Sequence, residues 1–302
     1  MGGIKTIDFH RNGEFQVLFN TAKALHLLNR NGREMKNFPV KLKSVATNEV
    51  SVCDYVDTKE YRFLLACKDR KVYNFDKTGK TISGWQIPIT NQVVTLPVLH
   101  YLSGKKDYIV IPDEDNINFL DRQGKQRIKM KEKFVRSKNN IFLINNKKGD
   151  PVFATTDQNG ELIFISSDGS VRRKSFGNYT SNHAFVPIHM KKEAGPDFLF
   201  YDQQLLSLFD FTGNLLFSKQ IKNFTDNNVR LTMDKTEKYI ELCSVSENRC
   251  IFFKSDCSII DTFVPNDYRL LTMGSFYTNS SVNNILGLTP DGLLANFQIE
   301  FK

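Results

Sequence analysis

The chain has 302 residues, 40% hydrophobic and 25% charged, proportions of an ordinary globular chain that exclude a disordered or fibrous polypeptide. No run of about 18 apolar residues occurs, which excludes a spanning helix, and the start "MGGIKTIDFHRNGEF" has neither the basic n-region nor the continuous apolar h-region of a secretory signal. The formal net charge of +8 raises an anionic partner, while five cysteines, an odd number in so long a chain, argue against a disulfide framework.

In chain order, glycines at 32, 79, 124, 169 and 213 recur every 44 to 47 residues, a spacing that marks a repeat architecture. Each closes an ungapped block of nineteen: "EFQVLFNTAKALHLLNRNG", "YRFLLACKDRKVYNFDKTG", "KDYIVIPDEDNINFLDRQG", "PVFATTDQNGELIFISSDG" and "GPDFLFYDQQLLSLFDFTG". Two further blocks follow in register, "YIELCSVSENRCIFFKSDC" ending at Cys257 and "NNILGLTPDGLLANFQIEF" ending at Phe301. The twelfth position is apolar in every copy (Leu25, Val72, Ile117, Leu162, Leu206, Cys250, Leu294), and so is the fifteenth (Leu28, Phe75, Leu120, Ile165, Phe209, Phe253, Phe297).

Each block reads as a hairpin, two β-favouring runs about a polar centre. "QNG" at 158–160 and "PDG" at 290–292 set a tight turn at the ninth and tenth positions, because Asn-Gly and Asp-Gly supply the positive φ angles of a type I′ turn. That register places Cys243 opposite Phe252 and Cys250 opposite Val245, diagonal neighbours between which no bond is expected. At the block's end Asp76, Asp121 and Asp210 stand three residues before glycine, where a short carboxylate accepts from the turn's amides. A calcium loop would need further ligands at alternate positions. After the glycine comes another strand ("KTISGWQIP", "KQRIKMKEKF", "NLLFSKQI"), and before the block one more ("QVVTLPVLHY", "NNIFLINN", "HAFVPIHM").

Four antiparallel strands per unit, repeated around a ring, specify an all-β fold, a seven-bladed β-propeller. Its units run over about 1–42, 43–90, 91–134, 135–179, 180–224, 225–267 and 268–302, in one domain. Strands are lettered A to D from the inside of each blade. The seventh unit stops at Phe301 before its strand D, and nothing precedes Ile4 to supply one. The expectation is therefore a three-stranded last blade whose edge is covered, the chain being part of a longer protein or meeting a partner there.

Strand C ending in D-x-x-G and followed by strand D, as in "KVYNFDKTGKTISGW", resembles the repeats of the bacterial PQQ-like and WD-repeat-like propeller superfamily over essentially the whole chain. The resemblance implies the fold and tilts the setting towards the periplasm or cell surface. The quinoprotein dehydrogenases of that group carry a regular tryptophan docking signature; Trp85 is the single tryptophan here and no adjacent Cys-Cys pair occurs, so no quinone or other cofactor is expected.

Charge is unevenly spread. The A-to-B loops "SGKKDY", "NNKKGD", "MKKEAG" and "DKTEKY" set Lys105, Lys106, Lys147, Lys148, Lys191, Lys192, Lys235 and Lys238 on one rim, with Arg30, Lys77 and Arg122 in the C-to-D turns of the same face. Asp107, Asp150, Glu193, Asp234 and Glu237 dilute that potential. The B-to-C turns open on the other face with Asp113, Glu114, Asp115, Asp157, Asp202 and Glu247 against Arg249. Solvated loops are charged by default, and the alternating lysines of "KQRIKMKEKF" discourage edge pairing.

Catalytic signatures are sparse. No G-x-S-x-G, G-x-G-x-x-G or G-x-x-x-x-G-K sequence occurs, the seven-residue cysteine gaps match no zinc pattern, and His10, His26, His100, His183 and His189 lack the i, i+4 spacing of a helical zinc site. No metal site follows. Asp8, Asp54 and Asp57, on or beside A strands, are the carboxylates placed for acid–base work across a channel. Two function classes remain. The favoured one is a non-enzymatic scaffold that binds a protein partner, or an anionic polymer or surface, through the lysine-rich face; the alternative is an enzyme or small-ligand binder using the central channel.

Overall fold

The computed structural model describes residues 3–55, 57–113, 115–145, 150–188 and 195–222, and beyond these the strand residues of two further sheets. Among the described residues all regular structure is β. The first sheet is β1 (Lys5–Ile7), β2 (Gln16–Asn20), β3 (Ala24–Leu28) and β4 (Val40–Lys41); the second is β5 (Ser51–Cys53), β6 (Arg62–Ala66) and β7 (Val72–Asp76). The third is β8 (Leu99–Ser103), β9 (Lys106–Pro112), β10 (Ile117–Leu120) and β11 (Gln126–Ile128). The fourth is β12 (Phe142–Asn145), β13 (Pro151–Thr156), β14 (Leu162–Ser166) and β15 (Val171–Lys174). The fifth is β16 (Ala184–Ile188), β17 (Asp197–Asp202), β18 (Leu205–Phe209) and β19 (Leu215–Gln220). The sixth is β20 (Val229–Met233), β21 (Lys238–Ser244), β22 (Arg249–Phe253) and β23 (Ile259–Phe263), and the seventh β24 (Leu271–Gly274), β25 (Asn283–Leu288) and β26 (Leu294–Ile299). Every sheet is an antiparallel meander in chain order. The chain falls into two compact units, residues 1–157 with 162–174, and residues 158–161 with 175–302.

Within the first unit the sheets stack face to face, which explains why the middle strands are apolar on both sides. In β6, Phe63 and Leu65 join Ile7, Leu18, Leu25 and Leu27 of the first sheet, while Leu64 and Ala66 join Ile109, Ile111 and Leu120 of the third. The two recurrent apolar positions divide the same way, being of opposite parity on strand C: Val72 packs towards the third sheet and Phe75 towards the first. The third and fourth sheets share Tyr108, Val110, Phe119, Phe153, Ile163 and Ile165. In the second unit Leu199, Tyr201, Leu206 and Leu208 pack with Ile240, Leu242, Ile251 and Phe253.

Hairpin register follows the sequence in three sheets and departs from it in four. Asn20 pairs with Leu25, Pro112 with Ile117 and Asp202 with Leu205, as expected. In the others the pairs are Ala66 with Val72, Thr156 with Leu162, Cys243 with Cys250 and Leu288 with Leu294, each shifted towards the N-terminus. The reason is visible in the second and fourth turns. Cys67 N–H donates to Lys71 O at 3.0 Å across a loop whose last residue, Arg70, is left-handed at φ 61°. In the fourth turn Gly160 takes that place at φ 80° and Asn159 is not left-handed. Both are three-residue loops ending in a left-handed residue, and neither is the type I′ turn read from "QNG". The two-residue turn with both central residues left-handed is instead Gln203–Gln204, at φ 47° and 65°. The "PDG" turn lies outside the described residues. Cys243 and Cys250 are thus directly opposed, and the diagonal placement inferred from the sequence is corrected.

A second correction concerns the second sheet, where "KTISGWQIP" forms no fourth strand. Two isolated bridges, Phe75 to Thr81 and Lys71 to Ile89, and the Trp85 indole N–H donating to Val72 O at 2.9 Å cover the edge of β7 in its place. Gly84 and Pro88 interrupt this segment, and proline supplies no ladder donor.

The D-x-x-G turn behaves as its chemistry dictates. Asp76 Oδ1 accepts from the amides of Thr78 and Lys80 at 2.8 and 3.0 Å, Asp121 Oδ1 from Gln123 and Lys125 at 2.8 and 3.0 Å, and Asp210 Oδ1 from Gly213 and Asn214 at 2.7 and 2.8 Å. Asn29 does the same work in the first sheet. These bonds hold the Asp210 carboxyl well below the ordinary carboxylate value, the hydroxyl of Thr212 and the side chain of Asn214 contributing most.

Candidate interaction face

In a meander the A-to-B loop and the C-to-D turn share one end of the strands. Across the first three sheets this end is laced together. The buried Asp8 accepts from the amides of Asn12 and Gly13 at 3.0 and 3.2 Å and from Lys59 Nζ of the next sheet. Lys59 holds the Asp8 carboxyl below its ordinary value, outweighing the opposing effect of burial, and the two amides add to it. The Asp8 amide donates to the Tyr61 hydroxyl at 3.2 Å, and Asp54 accepts from the amides of Thr58 and Lys59 at 3.1 and 2.7 Å. Asp57 is exposed, with φ 52°. Asp8 and Asp54 therefore pin their own loops, which accounts for carboxylates at the ends of A strands without acid–base chemistry.

The cation at the seventeenth block position meets an acid at the head of strand B in each of these sheets. Arg30 pairs with Glu14 at 2.8 Å, Lys77 with Glu60 at 2.9 Å, and Arg122 with Asp107. Glu60 also receives Arg11. Lys77 and neighbouring cations, Lys77 foremost, lower the Glu60 pKa against the effect of burial. Asp107 is buried and is shared with His100, whose Nε2 lies 2.8 Å from Oδ1. Arg122 reaches on to Tyr55 O at 3.0 Å and lies 4.8 Å from the Tyr55 ring centroid. Lys77 Nζ sits 5.6 Å from the Phe9 centroid, and Phe15 at the head of β2 is 59% exposed. In the fifth sheet the same position is Phe211, which packs on the glycine at the head of its block: a Cβ on Gly195 would lie 2.8 Å from Phe211 Cγ.

Of the eight lysines singled out in the sequence, Lys105 and Lys106 are exposed at the A-to-B turn of the third sheet, where Ser103 pairs with Lys106. Lys238 opens β21 opposite Met233. Lys147, Lys148, Lys191, Lys192 and Lys235 lie outside the described residues. What sequence reasoning missed is the pairing of Arg30, Lys77 and Arg122, which it counted as free positive charge. The signal was present, an acid at the first block positions or just before them wherever position seventeen is a cation.

The opposite end is structural where it is described. Asp113 accepts from the amides of Asn91 and Gln92 at 2.6 and 3.1 Å, and Asp202 from the Thr180 amide and hydroxyl, each at 2.6 Å. These acids tie B-to-C turns to the segments that enter strand A. Asn20 and Asn48 step across the first three sheets: Asn20 Nδ2 donates to Asn48 O at 3.1 Å and Asn48 Nδ2 to Leu96 O at 2.9 Å. A cleft of about 320 Å³ opens beside them, lined in part by Glu49, Thr47 and Thr95, and its asparagines are consumed by these backbone bonds. His183 is buried with Nδ1 2.7 Å from Thr180 O, and His189 lies outside the described residues. Among the described residues no cluster of histidine, cysteine or acid side chains forms a metal site, and no helix is long and apolar enough to cross a membrane.

No protein-family model and no curated protein matches the chain. Solved structures do. BBS1N, crystallised in complex with ARL6DN, is similar with a TM-score of 0.63 at 12% identity, over 97% of this chain and 90% of that one. BamB from Moraxella catarrhalis is similar with a TM-score of 0.52 at 11% identity (98% and 96% of the two chains), and streptogramin B lyase with 0.52 at 12% (87% of each). All three are β-propellers. With the meandering sheets stacked through strands apolar on both faces, these likenesses establish the fold of this chain as a β-propeller.

Proposed function

We propose that this chain is a non-enzymatic propeller that binds a protein partner through the face carrying the A-to-B loops and C-to-D turns, the lysines of those loops included. The observation that carries the reading is the composition of that face in the first two sheets. Arg11, Arg30 and Lys77 alternate with Glu14 and Glu60 among Phe9, Phe15 and Tyr61. Arginine and aromatic residues are the groups enriched where protein surfaces meet. Cations interleaved with carboxylates present a mixed potential, which suits a protein surface better than a polyanion. BBS1N, solved with ARL6DN bound, is a propeller in a protein complex, and that parallel supports the reading at the level of fold.

Lysine-directed cross-linking of the chain in its native extract, read by mass spectrometry, tests it. Links from one partner to Lys105, Lys106 and the lysines at 147, 148, 191 and 192 are expected, and Lys105→Glu with Lys106→Glu should weaken that partner's binding about tenfold, on the order of 1.4 kcal/mol. Links confined to Lys23, Lys68 and Lys71, at the B-to-C end, would overturn it.

A further inference from the structure

The corrected register of the sixth sheet creates a site that the sequence argued against. In the hairpin of β21 and β22 the backbone pairs Cys243 directly with Cys250. Directly opposed residues of an antiparallel ladder share a face, with Cα atoms about 4.5 or 5.5 Å apart according to the type of pair. A disulfide spans Cα separations of about 4.4 to 6.8 Å. Both Cα separations fall within that span, and the closer Cβ atoms of a non-hydrogen-bonded pair come nearest to the roughly 3.5 to 4.5 Å that the bond needs. The other described cysteines are differently placed. Cys53 and Cys67 are buried and free, and burial pushes both thiols up, that of Cys67 to about 12, so neither supplies a thiolate near neutral pH. Cys257 lies outside the described residues.

We propose that Cys243 and Cys250 form a reversible cross-strand disulfide in the sixth sheet. With a low-molecular-weight disulfide such as oxidised glutathione as oxidant, the thiolate of one cysteine attacks its S–S bond and releases one glutathione thiolate. The thiolate of the other then attacks the mixed disulfide, closing the Cys243–Cys250 bond and releasing the second glutathione. Two cysteine thiols are oxidised, one glutathione disulfide is reduced to two thiols, and the two protons pass to solvent or to the departing thiolates. The bridge closes a short loop, so it restricts the unfolded chain somewhat less than a long-range disulfide would.

The test uses the full chain, equilibrated with oxidised and reduced glutathione, alkylated and digested with trypsin. Cleavage after Lys238, Arg249 and Lys254 leaves the peptides "YIELCSVSENR" and "CIFFK" joined only if the bond exists. The joined pair should dominate in oxidised buffer, disappear in reduced buffer, fall to background in Cys243→Ser and in Cys250→Ser, and persist in Cys257→Ser. Since the wild-type chain itself gives the primary readout, a variant that fails to fold leaves the test intact. Separate glutathione adducts on the two cysteines with no joined pair, or a bond from either to Cys257, would overturn the proposal.

Discussion

Gly32 and Gly169 hold the same place in their repeats, with φ of 74° and 80°, but they meet different surroundings. A Cβ on Gly32 would find nothing among the described residues within 4 Å, whereas one on Gly169 would lie 1.9 Å from the carbonyl oxygen of Lys129 in the preceding sheet's outer segment. Gly169 O in turn accepts from the Lys131 amide at 2.9 Å. The second and third turns resemble the fourth: a Cβ on Gly79 would lie 2.4 Å from Val40 Cγ2, and one on Gly124 2.4 Å from Gln86 O. One recurrent glycine thus answers two demands, a left-handed turn everywhere and a close approach to the sheet before it wherever that approach is described. The comparison separates turn chemistry from packing between sheets.

The sharpest way to break it is to add one methyl to each turn. Among the described residues Gly32→Ala meets only the left-handed penalty and should cost about 1 kcal/mol, while Gly169→Ala must also displace backbone and should cost about 3 kcal/mol or more, read as the difference in denaturant midpoint. A smaller contrast comes from the ion pairs beside these turns. Arg122→Ala leaves the buried Asp107 with His100 as its remaining side-chain partner and should cost about 2 kcal/mol, whereas Arg30→Ala removes an exposed pair and should cost about 0.5 kcal/mol or less. Equal losses would show that burial of the acid does not set the value of the pair.

The hairpin turns offer a gain in place of a loss. Gln203→Asn with Gln204→Gly puts residues that accept positive φ where two glutamines now hold it, and thermal unfolding should report about 1 kcal/mol of added stability. The smallest effect is with pH. The lowered Asp8 pKa means that the folded chain binds fewer protons there than the unfolded chain. Its stabilisation is complete above the ordinary value of 3.8 and is lost as pH falls through the lowered folded value. Asp8→Asn keeps an acceptor for the loop amides but should flatten the acid limb of a stability-against-pH curve relative to wild type.

Much of the fold was legible because turn chemistry is local. Asp76, Asp121 and Asp210 signal their turns with their own side chains, and the spacing of the glycines carries the repeat. Register was less so, because "QNG" at 158–160 satisfies both a two-residue turn and a three-residue loop with Gly160 last, and the choice rests with strand pairing beyond the turn. The second sheet's lost strand was masked by an apolar run that Pro88 disqualifies. The face was half legible: the turn that carries Lys105 and Lys106 was placed correctly, but Arg30, Lys77 and Arg122 were counted by sign alone. The acids that hold them stand fifteen to seventeen residues away in sequence and across a hairpin in space.

The proposed binding face is tested most directly by a photo-reactive phenylalanine analogue placed at Phe15 or at Lys23, opposite ends of the hairpin formed by β2 and β3 and both exposed. Irradiation in native extract should give a discrete adduct with one protein from position 15 and none from position 23. An adduct from position 23 alone, or the same adduct from both, would contradict the assignment of the A-to-B end as the surface that meets a partner.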